Sequence, residues 1–225
     1  NTSVSTITIG LEGSISSADH AIEANQPAII KNAGTIFGDV GIAMSVVTTL
    51  NTITNIGTIT GVTSAIADLT LGLSKNSVTN FGTINGDVDL AGGDDTLTNT
   101  GKIVGDVDLG DDNDKLTNLG MIDGSVMLGE GTNKFTNSGT IEDDVTAGGG
   151  GNTIINKGFI GAEVLLGNGN NTITNSGTIA IDVVVNQRES FVARFGISDP
   201  MQQLWLLVAL TVVIWVCESL FEYLH

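Results

Sequence analysis

Apolar and polar positions alternate along most of this chain, and the alternating pattern repeats with a period of 19 residues. One phrase, D-T-L-T-N-T-G-K-I-V-G-D-V-D-L-G at 95–110, returns in variants that start at Asp114, Asn133, Asn152 and Asn171. Each unit carries a marker glycine: Gly82, Gly101, Gly120, Gly139, Gly158 and Gly177. A fixed period of this length indicates a repeat architecture in which each unit stacks on the next.

Counted from the marker glycine, apolar residues fall at positions −4, +2 and +6 and usually at +8. Such period-two alternation predicts strands with one buried face. We expect one strand from −4 to +2, a turn near +4, a second strand from +5 to +8, and then a Gly/Asn/Asp loop. Because one unit cannot bury its own face, the aliphatic columns of stacked units should merge into a single core.

The predicted fold class is all-β: a parallel β-helix, or β-solenoid, of about eight 19-residue rungs, followed by one C-terminal hydrophobic α-helix. Residues 1–31 are expected to form an atypical first rung or to continue a longer solenoid. The repeat domain is predicted at 32–186, a linker at 187–199 and the hydrophobic helix at 200–225.

The early part of the repeat is less regular than the rest. The steps between Gly34, Gly57 and Gly82 are 23 and 25 residues, which is longer than the period. Extra residues in a solenoid usually enter a loop on one side. We therefore expect lateral bulges at 41–50 and 62–75.

Position −2 carries asparagine throughout the regular repeat, and it has the same parity as the buried isoleucines. A buried amide must be hydrogen-bonded, and identical amides that stack rung upon rung can bond to one another. We expect a structural asparagine ladder, formed by Asn55, Asn80, Asn99, Asn118, Asn137, Asn156 and Asn175.

The charge of the chain narrows the range of partners. The formal net charge is −17, and residues 1–186 hold 21 acidic and 6 basic side chains. Nucleic-acid binding needs a basic surface, so we do not expect this chain to bind nucleic acid. Cys217 is the only cysteine, so an intrachain disulfide is impossible.

Catalysis is not expected from the residues of the repeat region. Residues 1–186 contain no arginine, His20 is their only histidine, and their lysines are scattered. No serine and histidine are spaced as a nucleophile and its base would be. We expect a protein that is not an enzyme and has no cofactor, with bound calcium as the alternative.

The calcium hypothesis rests on the acidic stretch between 87 and 114. Stacked Asp side chains about 5 Å apart would repel by roughly 3 kcal/mol per pair at a dielectric constant of 20, and a hard cation would relieve this. The alternative is a solvated acidic face, because later rungs carry Asn133, Asn152 and Asn171 instead. The candidate ligands are Asp87, Asp89, Asp94, Asp95, Asp106, Asp108, Asp111, Asp112 and Asp114.

The last part of the chain departs from the repeat. Asp199 and Pro200 are suited to the N-cap and first position of a helix. An unbroken apolar run of 14 residues follows at 204–217. A span of about 20 residues crosses a bilayer, so we predict a membrane helix over 203–224, with a buried helix as the alternative.

Three phrases of the repeat are characteristic: T-N-S-G-T-I at 136–141 and 174–179, G-D-V-D-L at 86–90 and 105–109, and L-G-N-G-N-N-T-I-T-N at 166–175. In these phrases the repeat resembles the passenger domains of autotransporters, the type V secreted surface proteins of Gram-negative bacteria. This resemblance covers about 32–185 and implies a surface-exposed β-helical stalk or adhesin, secreted or held at the outer membrane, with a host or cell-surface ligand.

Two further family resemblances lead to alternative functions. The loops G-G-D-D-T-L at 92–97 and G-D-D-N-D-K-L at 110–116 resemble the calcium-binding RTX nonapeptide, which implies a calcium-binding β-roll. Residues 196–225 are similar to the first transmembrane helix of ABC exporters, but the chain has no nucleotide-binding motif. This second resemblance implies an extracytoplasmic solenoid fused to a membrane protein.

Overall fold

The computed structural model describes residues 4–45, 50–70 and 74–185, and these ranges form an all-β parallel solenoid. The predicted fold class is confirmed for this part of the chain, with nine turns rather than about eight. The additional turn comes from residues 5–24, whose strands pair with those of the next turn.

One face of the solenoid is a nine-stranded parallel sheet to which each turn contributes one strand. From the fourth turn onward, neighbouring strands of this sheet pair in strict 19-residue steps. Leu97 pairs with Leu116, for example, and Leu116 pairs with Phe135. The strands of this first sheet are β1 (Ser5–Ile9), β4 (Ala28–Asn32), β6 (Leu50–Asn55), β8 (Lys75–Asn80), β11 (Thr96–Asn99), β14 (Lys115–Asn118), β17 (Lys134–Asn137), β20 (Thr153–Asn156) and β23 (Thr172–Asn175).

The second sheet has sixteen strands and covers the remaining two sides of each turn. Its first set of strands follows the marker glycines: β2 (Ser14–Ser16), β5 (Thr35–Met44), β7 (Thr58–Asp68), β9 (Thr83–Asn85), β12 (Lys102–Val104), β15 (Met121–Ile122), β18 (Thr140–Ile141), β21 (Phe159–Ile160) and β24 (Thr178–Ile179). Its second set completes the turns: β3 (His20–Ala24), β10 (Val88–Asp89), β13 (Val107–Asp108), β16 (Val126–Met127), β19 (Val145–Ala147), β22 (Val164–Leu166) and β25 (Val183–Val185).

Each regular turn contains three short strands, whereas the sequence predicts two. The expected strand from −4 to +2 is divided at the marker glycine, where the chain turns a corner between the two sheets. Glycine is needed at this corner because successive turns approach closely. A Cβ atom on Gly139 would lie 2.0 Å from the carbonyl oxygen of Gly120.

The lateral bulges predicted at 41–50 and 62–75 lie only partly within the described residues, since 46–49 and 71–73 are outside them. The described residues of 41–50 and 62–75 lie partly in β5 and β7, which run through both sides of the second sheet and pair in parallel. Ile42, Met44 and Ile66 are fully buried there. Strand pairing therefore accommodates part of the extra length, while a shift of register between β5 and β7 leaves Val62 74% exposed.

The core consists of the aliphatic columns that the alternation predicts. Side chains at −4, +2 and +6 are almost fully buried from Val78 to Val164. Phe135 is the largest side chain among the fully buried residues, and it occupies the same column as Leu116 and Ile154. The columns extend through all the central turns, so each turn seals the core of the next.

Among residues 4–45, 50–70 and 74–185 there is no helix that is long and apolar enough to span a bilayer. The predicted linker at 187–199 and the predicted membrane helix at 200–225 lie outside these ranges. The resemblance to ABC exporters at 196–225 lies outside them as well.

We predict that Ile122→Asp unfolds the middle of the solenoid. Ile122 is fully buried in the +2 column, so the change removes apolar burial and places an unpaired carboxylate in the core. The expected loss is about 4 kcal/mol or more, which should lower the melting temperature by about 10 °C or more. Circular dichroism melting of the full chain would measure it.

Thr140→Asp is the matched control, because Thr140 is in the neighbouring turn, pairs with Met121 and is only half-buried. It should change the melting temperature by a few degrees at most. Equal losses in the two variants would contradict the assigned directions of the side chains.

Candidate functional site

The asparagines at −2 form a continuous ladder through the corner beside the marker glycines. Each Nδ2 donates to the Oδ1 of the asparagine one turn further, as Asn99 does to Asn118 and Asn118 to Asn137, both at 2.9 Å. Each Nδ2 also donates to a backbone carbonyl of the next turn, such as Asn118 to Thr140 at 3.1 Å. The ladder therefore bonds successive corners to one another.

The ladder begins one turn earlier than the sequence analysis places it. Asn32 donates to Asn55 at 2.8 Å and follows the same pattern as the rest. The signal was present in N-A-G-T-I, where Asn32 stands two residues before Gly34. At the other end, Asn156 donates to Asn175 at 2.9 Å, and the Asn175 side chain is exposed in the last described turn.

A second interior ladder runs along position −6, four residues before the first. In it, the Oδ1 of each residue accepts a hydrogen bond from the previous turn. The donor is usually a backbone N–H, as with Asp114 N–H to Asn133 at 2.7 Å and Asn133 N–H to Asn152 at 3.0 Å. The members are Asn51, Asn76, Asp95, Asp114, Asn133, Asn152 and Asn171.

Asp95 and Asp114 were predicted in the Gly/Asn/Asp loop, as calcium ligands or as part of a solvated acidic face, but both side chains lie in the interior. Asp95 is only 1% exposed and Asp114 only 2% exposed. Position −6 has the same parity as the buried positions −4 and −2, so the alternation already indicated an inward direction. The Gly/Asp content of these segments suggested a loop instead.

Asp95 and Asp114 are the two acidic members of an otherwise amide column. Burial raises the pKa of Asp95 to about 8. The carboxyls of Asp114 and Asp68 also raise this pKa, whereas the hydrogen bond from the Asn76 N–H lowers it. Burial also raises the pKa of Asp114 to about 7, opposed by the hydrogen bond from the Asp95 N–H. Among the described residues, none forms a hydrogen bond with the Oδ2 atom of Asp95 or of Asp114.

Asp68 lies beside these residues at the end of β7, and it is also buried. Its carboxylate is well supplied with donors: the Ser74 hydroxyl, the Asn76 Nδ2 at 2.8 Å and the Thr70 N–H at 2.8 Å. Both carboxylate oxygens of Asp68 are therefore hydrogen-bonded. Asp95 and Asp114 each have one oxygen without such support.

The remaining acidic residues of the predicted calcium patch mostly bond to the local backbone. Asp87 accepts from the Asp106 N–H, and Asp106 accepts from the Ser125 N–H, both at 2.8 Å. Asp89 and Asp108 each accept from the N–H two residues further along the chain at 3.0 Å. The first two bonds lie at the corner between the two sets of strands of the second sheet, and the other two lie just after β10 and β13.

Asp94 lies apart from these residues, on the exposed loop. It pairs with Lys75 Nζ at 2.7 Å and accepts from Asn113, so its pKa is held below the usual value mainly by the hydrogen bond from Lys75. Asp111 and Asp112 are exposed on the next turn. The nine candidate ligands thus lie in three separate places: the outer corner, the loop and the interior column.

An open groove of about 300 Å³ runs along the outer corner. It is lined by four of the predicted ligands, together with Thr63 and Met127. These four are Asp87, Asp89, Asp106 and Asp108. Within the ranges that the structure describes, no three His, Cys, Asp or Glu side chains meet in a group that could hold a metal ion.

We predict that Asn118→Leu destabilises the solenoid although leucine has a similar volume. The change removes the donor to Asn137 and Thr140 and the acceptor for Asn99, which leaves buried polar atoms unpaired. The expected loss is about 2–4 kcal/mol, measured by urea or thermal unfolding. Asn168→Leu, at an exposed loop position, should stay within about 0.5 kcal/mol of the parent. A similar small effect in both would mean that the amide ladder contributes little.

Comparisons of the chain with protein-family models, with curated proteins and with solved structures gave no significant match. The functional assignment therefore depends on the geometry of the solenoid and on the sequence pattern.

Proposed function

We propose that the solenoid is a structural and adhesive segment of a bacterial surface protein, a stalk or passenger of the autotransporter type. The observation that carries this proposal is the pair of side-chain ladders, which run through nearly every turn. Together with the two parallel sheets they bond each turn to its neighbours on all sides. A long, laterally uniform rod of this kind is suited to spacing and display.

The surface of the rod limits its partners. Residues 1–186 carry 21 acidic and 6 basic side chains, so an anionic polymer would be repelled. Its ligand on this proposal is a host or cell-surface molecule without a dense negative charge. The location that follows is the cell surface or the medium of a Gram-negative bacterium, with an anchor at 203–224 as a further prediction.

The proposal predicts that the solenoid is accessible on intact cells. An antibody raised against the purified chain should label intact bacteria that express it from the native gene, and external protease should remove the label. A periplasmic marker should stay unlabelled in the same cells. Labelling that appears only after permeabilisation would contradict a surface location.

A calcium-binding module is the second candidate, and the groove between Asp87, Asp89, Asp106 and Asp108 favours it. Calcium accepts oxygen ligands in flexible arrangements, and these four residues line one open groove. On this alternative the acidic groove is a ligand site in addition to a set of corner bonds.

The calcium alternative predicts that millimolar calcium raises the melting temperature of the full chain by several degrees relative to EDTA. The increase should disappear in Asp89→Asn/Asp108→Asn and persist in Glu130→Gln, which lies outside the groove. An identical melting curve with calcium and with EDTA would exclude this candidate.

The third candidate, an extracytoplasmic solenoid fused to an ABC-exporter-like protein, depends on residues 196–225. These lie outside the described ranges, so it stays a prediction. The gene sequence after the codon for His225 would test it, since membrane helices followed by a nucleotide-binding motif are required.

A further inference from the structure

Asp95 and Asp114 occupy positions that the repeat otherwise fills with an amide. In both residues Oδ1 has the role that Oδ1 of asparagine has elsewhere, because it accepts the N–H of the previous turn at 2.5 Å and 2.7 Å. The second oxygen, Oδ2, therefore takes the place of the amide nitrogen. That replacement exchanges a hydrogen-bond donor for an acceptor.

The asparagines of the same column show what the displaced donor does. Asn171 Nδ2 donates to the carbonyl of Gly167 at 3.0 Å, and Asn133 Nδ2 donates to the carbonyl of Gly129 at 3.3 Å. Both bonds join the side chain to the carbonyl four residues earlier. Counting four residues back from the two acidic members leads to the carbonyls of Ala91 and Gly110.

A charged carboxylate cannot supply this bond. An ionised Oδ2 and a carbonyl oxygen both accept hydrogen bonds, so they repel one another in a buried corner. A protonated Oδ2–H has the shape and the donor of the asparagine amide. Its hydrogen bond to the loop carbonyl would restore the pattern of the column.

The charged groups around the pair favour the uncharged form. Asp95 faces the carboxyl groups of Asp114 and of Asp68 in β7, and both raise its pKa. Asp114 faces Asp94 and Asp112 on the loops and Asp108 on β13. Lys75 is the nearby cation, and it is paired with Asp94 on the surface. Removing a negative charge from the column therefore relieves the repulsion from these carboxyl groups, while it gives up the attraction between Lys75 and Asp95.

We propose that Asp95 and Asp114 are held as uncharged carboxylic acids, so that two protons taken from solvent complete the interior ladder and their loss loosens the two turns that carry it. Protonation of the pair thus strengthens the contacts between neighbouring turns in the middle of the rod, and deprotonation weakens them. This pH dependence goes beyond the proposed stalk function, because a stalk requires no such sensitivity.

The direction of the pH dependence follows from the proton count. The pKa of an aspartate in the unfolded chain is near the ordinary value of 3.8, whereas burial raises the pKa of these two to about 8 and about 7. Between these limits the folded state binds more protons than the unfolded state, so stability falls as pH rises. The stabilisation is complete below about pH 4 and is lost as pH passes about 7 to 8.

The test compares melting temperatures of the full chain at pH 5 and pH 8.5 with those of Asp95→Asn/Asp114→Asn. The parent should melt several degrees lower at the higher pH. The double variant should lose most of that difference and melt above the parent at pH 8.5. Asp111→Asn, an exposed change of one charge on the same loop, should keep the parent's pH dependence.

A spectroscopic readout separates protonation from a general effect of charge. The side-chain carboxyl carbons of Asp95 and Asp114, followed by carbon-13 NMR and assigned with the single Asn variants, should titrate well above an ordinary aspartate. Titration of both near 4, or equal pH dependence in the parent and the double variant, would overturn the proposal. Full rescue of the parent at pH 8.5 by calcium, reversed by EDTA, would overturn it in favour of a bound cation.

Discussion

Hydrogen bonds that run parallel to the axis of the rod are the interaction on which this structure depends. The backbone supplies them through parallel strand pairing, and the −2 and −6 columns add side chains that bond in the same direction. Aliphatic columns alone would bury apolar area, but they would tolerate a slip of register. A ladder of buried amides does not tolerate it, because a displaced amide leaves polar atoms unpaired.

This constraint explains which parts of the turn can vary. The corner at the marker glycine is closely packed, since the backbone of one turn lies against that of the next. The amide of Asn137 satisfies that corner from inside by accepting the Gly139 N–H and donating to the carbonyl of Phe159. Outward positions of the strands face solvent, so they carry threonine, lysine or isoleucine without any change in the fold.

Much of the fold could be predicted from the sequence, because a 19-residue period and alternation determine which residues share a column. Ile122 and Asn118 lie where that pattern places them. The corner at Gly120 could not be predicted from alternation alone, since a strand may bend without any change of parity. Asp95 and Asp114 were misplaced because their residue type suggested solvent while their parity indicated the interior. Residues 5–24 form a turn that pairs with the next one, and Leu11 in place of the ladder asparagine is the reason why the sequence indicated only an atypical rung there.

The period of the regular part, from β8 to β25, has a consequence for how the length of the molecule can change. Deleting or duplicating any 19 consecutive residues in this part joins position to like position, so every column stays continuous. The rod would become shorter or longer by about 4.8 Å, the distance between neighbouring strands, without a new interface having to be formed. Recombination between repeats can therefore adjust the length of the rod in equal steps of one turn, independently of the segments attached to its ends.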